Sequence, residues 1–301
     1  MNVLNSFQNR KYKNIFIISS LILALIAAIL RTVGILFFYE KESAYFADGS
    51  FLPIILYTFI ILAIVFFILG AVFTVDPKKE VPTPSKKAKT VAIFPALAMV
   101  AFVFMNFNNF KSLYEAVYLV ERPDPTKLLP FVYTCGLLIS ATVCVLFFLA
   151  FSFKNSNSKT VLGLSIAFFA WGILNWITSY IEFMTPINSP DKMFFHLACI
   201  SALLFMVSEL RSMHSISKPK FYYFSLATSI TLLATSSIPC LIGAFCSSFK
   251  SDILIPGNIV LFALLIYFSV RAVTLVCEKE KTPEAENVSD SELVKDEENA
   301  D

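Results

Sequence analysis

Apolar residues fill eight long segments of the chain, and polar or charged residues gather between them. Each segment holds roughly 20 residues, the length that an α-helix needs to cross the hydrocarbon core of a bilayer. The segments fall at about 14–38, 51–74, 91–110, 128–151, 161–182, 193–210, 221–246 and 253–277. Because backbone polar groups inside a bilayer must be bonded within the chain, we expect an all-α polytopic membrane protein with eight spans.

The composition supports this interpretation. Hydrophobic residues make up 57% of the 301 residues and charged residues 15%, against roughly 25% charged residues in a soluble domain. The lipid bilayer is therefore the expected surrounding, and no nucleic-acid partner is expected. Only two histidines occur, and none of the six cysteines forms a C-x-x-C pair. The sequence therefore predicts no metal site and no cofactor.

Lysine and arginine predict the direction of the spans. The N-terminus, the even-numbered connections and the C-terminal end carry 17 of the 24 basic residues, the opposite side carries six, and Arg31 lies within a span. Basic residues favour the cytoplasmic side. We therefore expect both termini in the cytoplasm and four helical hairpins, each going out and coming back.

The last 24 residues, 278–301, form an acidic segment with ten acids and three lysines, which leaves the rest of the chain at net +9. The segment lacks aromatic residues and apolar clusters, so we expect residues 1–277 to form the transmembrane domain and 278–301 a disordered cytoplasmic tail. A solvated tail is the simplest interpretation, and a docking segment for a protein partner is the alternative.

Each expected returning helix opens with a proline, which suits the first helical turn. These prolines, each with an aspartate nearby, are Pro53, Pro130, Pro190 and Pro256. The second and third hairpins share a further pattern, Asn108-x3-Ser112-x2-Glu115 and Asn175-x3-Ser179-x2-Glu182. A duplicated hairpin explains the pattern, but so does the general gathering of polar residues at outer helix ends.

Polar and ionisable residues gather in the expected outer half of the bundle. Intramembrane ionisable residues often mark functional sites. The candidates for a small cavity open to the outside are Arg31, Asn109, Glu115, Asn175, Glu182 and His196. Within this set, His196 is expected to face span five close to Glu182. The alternative is structural: Arg31 snorkels, Glu182 lies in the headgroups, and His196 bonds between helices.

Two further charges lie at the expected inner level. Glu209 is near the end of span six, and Arg271 is about six residues before the end of span eight. We expect an ion pair between them that fixes the two spans together. The alternative is that each side chain snorkels alone. Span five also holds Trp171, whose N–H needs a partner, and Asn175 is four residues away.

The segment from Asn188 to Arg211, with its N-S-P-x-K start and E-x-R end, is similar to a segment in a loose group of uncharacterised bacterial multi-pass membrane proteins. The residues that carry the resemblance are Asn188, Ser189, Pro190, Lys192, Leu197, Ala198, Leu204, Phe205, Glu209 and Arg211. The resemblance implies a bacterial plasma membrane protein and brings no activity with it.

No H-E-x-x-H, G-x-S-x-G, P-loop or dinucleotide-binding motif is present in the sequence, so no familiar enzyme class is indicated. The first expectation is a non-enzymatic sensor or membrane-assembly component that meets a small ligand from outside. The alternative is a permease for a small solute, which a continuous polar path would favour. The weakest alternative is an intramembrane enzyme that uses Glu182 with His196 as its acid–base couple.

Overall fold

The computed structural model describes residues 2–40, 45–47, 49–77, 80–119, 125–153, 159–181, 189–246 and 254–277, with the backbone alone for residues 2–10 and 181. Its helices are α1 (Asn2–Phe37), α2 (Leu52–Thr74), α3 (Lys86–Val91), α4 (Ile93–Tyr118), α5 (Leu128–Phe153), α6 (Lys159–Ile181), α7 (Pro190–Met213), α8 (Pro219–Phe245) and α9 (Leu254–Cys277). A single 3-10 turn, Pro125–Lys127, precedes α5. The acidic tail, residues 278–301, lies outside the described residues.

Eight helical segments in the described part of the chain are long and apolar enough to cross a membrane. They are Lys11–Phe37, Leu52–Thr74, Lys86–Tyr118, Pro125–Phe153, Lys159–Tyr180, Pro190–Met213, Pro219–Phe245 and Leu254–Cys277. The prediction of a helical chain with eight segments long and apolar enough to span a membrane is confirmed. Hydropathy sufficed because bilayer thickness sets both the length and the apolar character of each segment.

Two small elements were not predicted. Strands β1 (Tyr39–Glu40) and β2 (Tyr45–Phe46) form an antiparallel ladder between α1 and α2. Strands of two residues are too short for an alternating pattern to show in the sequence. Helix α3 begins after Ser85, whose hydroxyl accepts a hydrogen bond from the Ala88 N–H at 3.3 Å. This cap satisfies a donor that the helix start leaves without a partner.

Proline occupies the first turn of every helix where the sequence predicted it. Helix α7 begins at Pro190, and the Ser189 hydroxyl accepts from the Lys192 N–H at 3.5 Å. Pro53 lies in the first turn of α2, and Pro130 and Pro256 lie in the first turns of α5 and α9. Of the aspartates near these prolines, only Asp191 falls within the described residues.

Helix α8 is the central element of the bundle. It packs against α1, α2, α7 and α9, and nearly all of its residues from Tyr222 to Cys240 are buried. Serine and threonine are frequent on this helix, and small residues let membrane helices approach closely. Helices α4, α5 and α6 form a second group, in which α5 packs against both of its neighbours. Helix α7 is thus in contact with the centre of the bundle along α8.

Candidate functional site

Arg31 on α1 and Asp191 in the first turn of α7 form a buried ion pair. Arg31 Nη2 lies 2.6 Å from Asp191 Oδ1, and the two side chains are only 1% and 6% exposed. Arg31 Nη1 also donates to the Thr235 carbonyl of α8 at 2.5 Å. Its guanidinium lies 4.3 Å from the Phe194 ring centroid, a favourable cation–π contact. Arg31 therefore joins three helices and does not snorkel.

The β1–β2 hairpin is attached to this ion pair. The Tyr39 hydroxyl on β1 donates to Asp191 Oδ2. Burial and the neighbouring Asp191 carboxylate both raise the pKa of Tyr39. The phenol therefore stays protonated and remains a donor at every physiological pH. We call Arg31, Asp191 and Tyr39 the hairpin-end cluster.

A second buried ion pair lies at the other end of α7. Arg271 Nε on α9 is 3.0 Å from Glu209 Oε1, and both side chains are fully buried. Two tyrosine hydroxyls donate to the same carboxylate, Tyr222 at 2.5 Å and Tyr267 at 2.8 Å. The predicted contact between Glu209 and Arg271 is thus present, within the expected limit of about 4 Å. Glu209, Arg271, Tyr222 and Tyr267 form the loop-end cluster.

The loop-end cluster holds a segment outside the long helices. Arg271 Nη2 donates to the Pro82 carbonyl, in the extended stretch between α2 and α3. Nearby, Val81 and Ala88 are buried, and α3 packs against α5 and α9. Each buried ion pair is therefore bonded to one segment that connects membrane helices.

Helix α7 places one carboxylate in each cluster. Asp191 and Glu209 are 18 residues apart, which is five turns of an ideal helix, so both face the same side about 27 Å from one another. That distance is close to the thickness of the hydrocarbon core. Between them, Ala198, Ala202 and Phe205 on this face are buried. One rigid helix thus links the two clusters.

Hydroxyl groups on α8 run between the two clusters. Three serines of α8 bond to neighbouring helices: Ser225 to Ser208 Oγ (3.2 Å), Ser229 to the Ser201 carbonyl (2.6 Å) and Ser236 to Asn258 Oδ1 (3.0 Å). Thr231 and Thr235 donate instead to the carbonyls of Ala227 and Thr231 in their own helix. These bonds hold α8 against α7 and α9.

The structure does not gather the six residues of the expected outer cavity. Asn109 and Glu115 are exposed on α4, and Glu115 pairs only weakly with Lys111 at 3.9 Å. Helical spacing alone did not show which face of α4 packs against its neighbours, and a place for these two residues in an outer cavity stays a prediction. Arg31 is instead enclosed in the hairpin-end cluster. Glu182 lies outside the described residues, so its expected contact with His196 stays a prediction.

His196 and Asn175 lie between α6 and α7. His196 faces α6 as expected, and its Nε2 is 3.0 Å from Ser179 Oγ. Asn175 is buried beside Cys199 of α7. Trp171 packs edge-on against Phe102, and its Nε1 has no hydrogen-bond partner among the described residues, although Asn175 is four residues away. Together with Ser179, these side chains form a small polar region separate from Arg31.

Sequence reasoning missed Asp191 and the two tyrosines as functional candidates. The sequence analysis noted Asp191 only as the aspartate near Pro190, which did not reveal its role as the partner of Arg31. Tyr222 could have been found from the sequence, because it lies in the first turn of the span that follows Glu209. The chain re-enters the membrane there, so Tyr222 lies at the same depth as Glu209. Tyr267 lies one helical turn before Arg271 and so shares its level.

Within the described residues, no group of three histidine, cysteine, aspartate or glutamate side chains is placed to hold a metal ion. The site is therefore defined by its two arginine–carboxylate clusters and by the α6–α7 polar region. Comparison with protein-family models, with curated proteins and with solved structures found no match to this chain.

Proposed function

We propose that the protein is a non-enzymatic membrane sensor of the bacterial plasma membrane, in which α7 couples the hairpin-end cluster to the loop-end cluster. The observation that carries the proposal is the pair of carboxylates, Asp191 and Glu209, on one face of α7. Each is bonded to an arginine from another helix and, through the cluster, to a segment outside the long helices.

The proposed relay requires α7 to have a second position, which becomes favourable when a buried ion pair is broken. Removing one partner from a buried ion pair costs about 3–5 kcal/mol, because the other charge is left uncompensated. A ligand or proton that breaks the Arg31–Asp191 pair therefore favours a shift of α7 that satisfies both groups again. Because Glu209 is part of the same helix, that shift also strains its bonds to Arg271 and the tyrosines. A sensor requires a ligand that binds one conformational state of the protein more tightly than the other.

The charge distribution supports an orientation for the relay. With 17 basic residues on the side of both termini and six on the other, the termini and the loop-end cluster belong in the cytoplasm. The hairpin-end cluster then faces outward, where a small ligand arrives. The acidic tail, residues 278–301, is on the cytoplasmic side, in a position to meet a protein partner.

The carboxylates also favour a sensor over an enzyme. Glu209 accepts bonds from Arg271, Tyr222 and Tyr267, and Asp191 accepts from Arg31 and Tyr39. A general base must reach a substrate proton directly or through one water. Carboxylates held by so many donors are suited to holding helices together.

Hydrogen–deuterium exchange in nanodiscs tests the relay. Asp191→Asn weakens the hairpin-end cluster, and we expect faster exchange of the backbone amides in residues 80–91 as well as in the β-hairpin. The matched control is Glu115→Gln, which weakens an exposed ion pair and should leave both segments unchanged. Unchanged exchange in residues 80–91 of Asp191→Asn contradicts the proposed relay.

A permease is the second candidate, favoured by the line of serine and threonine hydroxyls along α8 between the clusters. Proton flux into proteoliposomes that contain a pH-sensitive dye distinguishes a sensor from a permease that moves protons. A sensor gives no more proton flux than empty liposomes when a potential is imposed. Flux that Ser229→Ala abolishes would favour the permease.

A further inference from the structure

One face of α6 carries three buried polar groups that have no hydrogen-bond partner within the part of the chain that the structure describes. Trp171, Asn175 and Thr178 follow the i, i+4, i+7 spacing of one helical face and are 1%, 6% and 8% exposed. Trp171 Nε1, Asn175 Nδ2 and Thr178 Oγ1 have no hydrogen-bond partner among the described residues. Buried polar atoms in proteins are nearly always bonded, so three on one face need an explanation.

Thr178, like Thr228 on α8, lacks the hydroxyl hydrogen bond that most helical threonines of the described residues make. Six threonines of the described residues donate to the carbonyl four residues earlier: Thr32, Thr74, Thr90, Thr142, Thr231 and Thr235. That bond is the usual way for a helical threonine to satisfy its hydroxyl inside a membrane. The Thr178 hydroxyl is buried without making it, and so it is free to bond a group beside the helix.

The Asn175 amide faces the first turn of α9. A Cβ atom at Gly257 would lie only 3.3 Å from Asn175 Nδ2 and 2.7 Å from the Phe195 ring. Glycine thus allows α9 to approach both side chains closely. The first turn of a helix presents N–H groups and the positive end of the helix dipole. An amide donor beside the positive end of a helix favours a hydrogen-bond acceptor over a cation.

We propose that Asn175 and Thr178, on the buried face of α6, bind a small hydrogen-bond acceptor, with Trp171 one turn further along the same face. The nearby Cys199 thiol is only a weak acceptor and does not replace an oxygen. The acceptor oxygen has two sources, an ordered water molecule or the carbonyl or carboxylate of a small solute. This site is independent of the proposed relay.

Thermal unfolding in detergent tests the site through Thr178→Val, which removes the hydroxyl and keeps the shape, and through Asn175→Leu. If the donors are bonded to an occupant, both variants unfold at a lower temperature than the wild type. If the donors are buried without a partner, removing them stabilises the protein or changes nothing. An unchanged or raised unfolding temperature in either variant overturns the proposal.

Two further variants show whether the effect of Thr178→Val comes from a lost hydrogen bond, from changed packing or from a nearby carboxylate. Thr178→Ser keeps the hydroxyl and should retain most of the stability, whereas a loss equal to that of Thr178→Val assigns the effect to packing and overturns the site. Glu182 lies four residues after Thr178. If Glu182→Ala cancels the effect of Thr178→Val, that carboxylate is the acceptor and the proposal fails.

Sodium acetate and acetamide then distinguish the two sources of the acceptor. A rise in the unfolding temperature of the wild type with either compound, absent in Asn175→Leu, supports a solute site. Destabilised variants without any response to the two compounds support ordered water. Thr231→Val is the matched control, because its hydroxyl bonds its own helix, and its response to both compounds should equal that of the wild type.

Discussion

The loop-end cluster makes a quantitative prediction about coupling between Glu209 and Arg271. Glu209→Leu leaves the Arg271 guanidinium buried without its carboxylate and deprives two tyrosine hydroxyls of their acceptor. Breaking a fully buried pair costs about 3–5 kcal/mol. We therefore expect the free energy of unfolding to fall by an amount in that range. Arg271→Met should cost a similar amount, because it leaves the carboxylate uncompensated.

The double variant Glu209→Leu/Arg271→Met should be more stable than the sum of the single losses predicts. Replacing both members of a buried pair with apolar residues is often neutral, because no charge is left in the core. The remaining cost comes from Tyr222 and Tyr267, which lose their shared acceptor, at about 1–3 kcal/mol for each group left unsatisfied. We expect a coupling energy of at least about 2 kcal/mol, within the range of residues in direct contact.

The assay is unfolding by sodium dodecyl sulfate in mixed micelles, followed through the fluorescence of the two tryptophans. Glu209→Gln keeps the shape of the side chain and serves where Glu209→Leu fails to fold. The exposed pair of Lys111 and Glu115 is the control and should show a coupling of less than about 0.5 kcal/mol. Additive losses at Glu209 and Arg271 would refute the assignment of stability to their pairing.

Three further outcomes follow from the same account. Tyr39→Phe should lower the free energy of unfolding by about 1.5–3 kcal/mol, the value of a hydrogen bond to a charged group. Because the pKa of Tyr39 is raised in the folded protein, the difference between variant and wild type should stay constant in thermal unfolding from about pH 6 to 9. It should begin to be lost only above about pH 10, the ordinary pKa of tyrosine. Reporter fusions after Ala47 should be active outside and fusions after Lys86 inside, and the reverse pattern would contradict the orientation. Glu115→Gln should change the unfolding temperature very little, since its pairing with Lys111 is exposed; a large loss would show that the side chain is buried in the folded protein.

The spans were predictable because a single physical constraint acts on each one separately. A segment must hold about 20 apolar residues to cross the bilayer, whatever its neighbours are. The contact between Glu209 and Arg271 was predictable for a related reason, since two opposite charges at one depth stabilise each other if their helices meet. The depth of a residue in the membrane follows from its position in a span, so the sequence alone was enough to place Glu209 and Arg271 at one depth.

The partner of Arg31 was not predictable in this way. It depends on α1 packing beside α8, from which the Arg31 side chain reaches the first turn of α7, and hydropathy carries no information about which helices are neighbours. The same gap explains Asn109 and Glu115, which share a depth with other polar residues but face away from them. Helix packing is decided by the fit of many side chains at once, and no single pattern in the sequence encodes it.

The most direct test of the relay runs in the reverse direction, from the loop end to the hairpin end. Hydrogen–deuterium exchange of the Tyr45, Phe46 and Ala47 amides is compared between the wild type and Glu209→Gln in nanodiscs. The Ala47 N–H bonds the Phe38 carbonyl at 2.7 Å, so a loosened hairpin exchanges faster there. The account predicts several-fold faster hairpin exchange in the variant, although Asp191, which bonds the hairpin, lies about 27 Å from the substituted residue by ideal helix geometry. Unchanged hairpin exchange, together with faster exchange in residues 80–91, would show that α7 does not couple the two clusters.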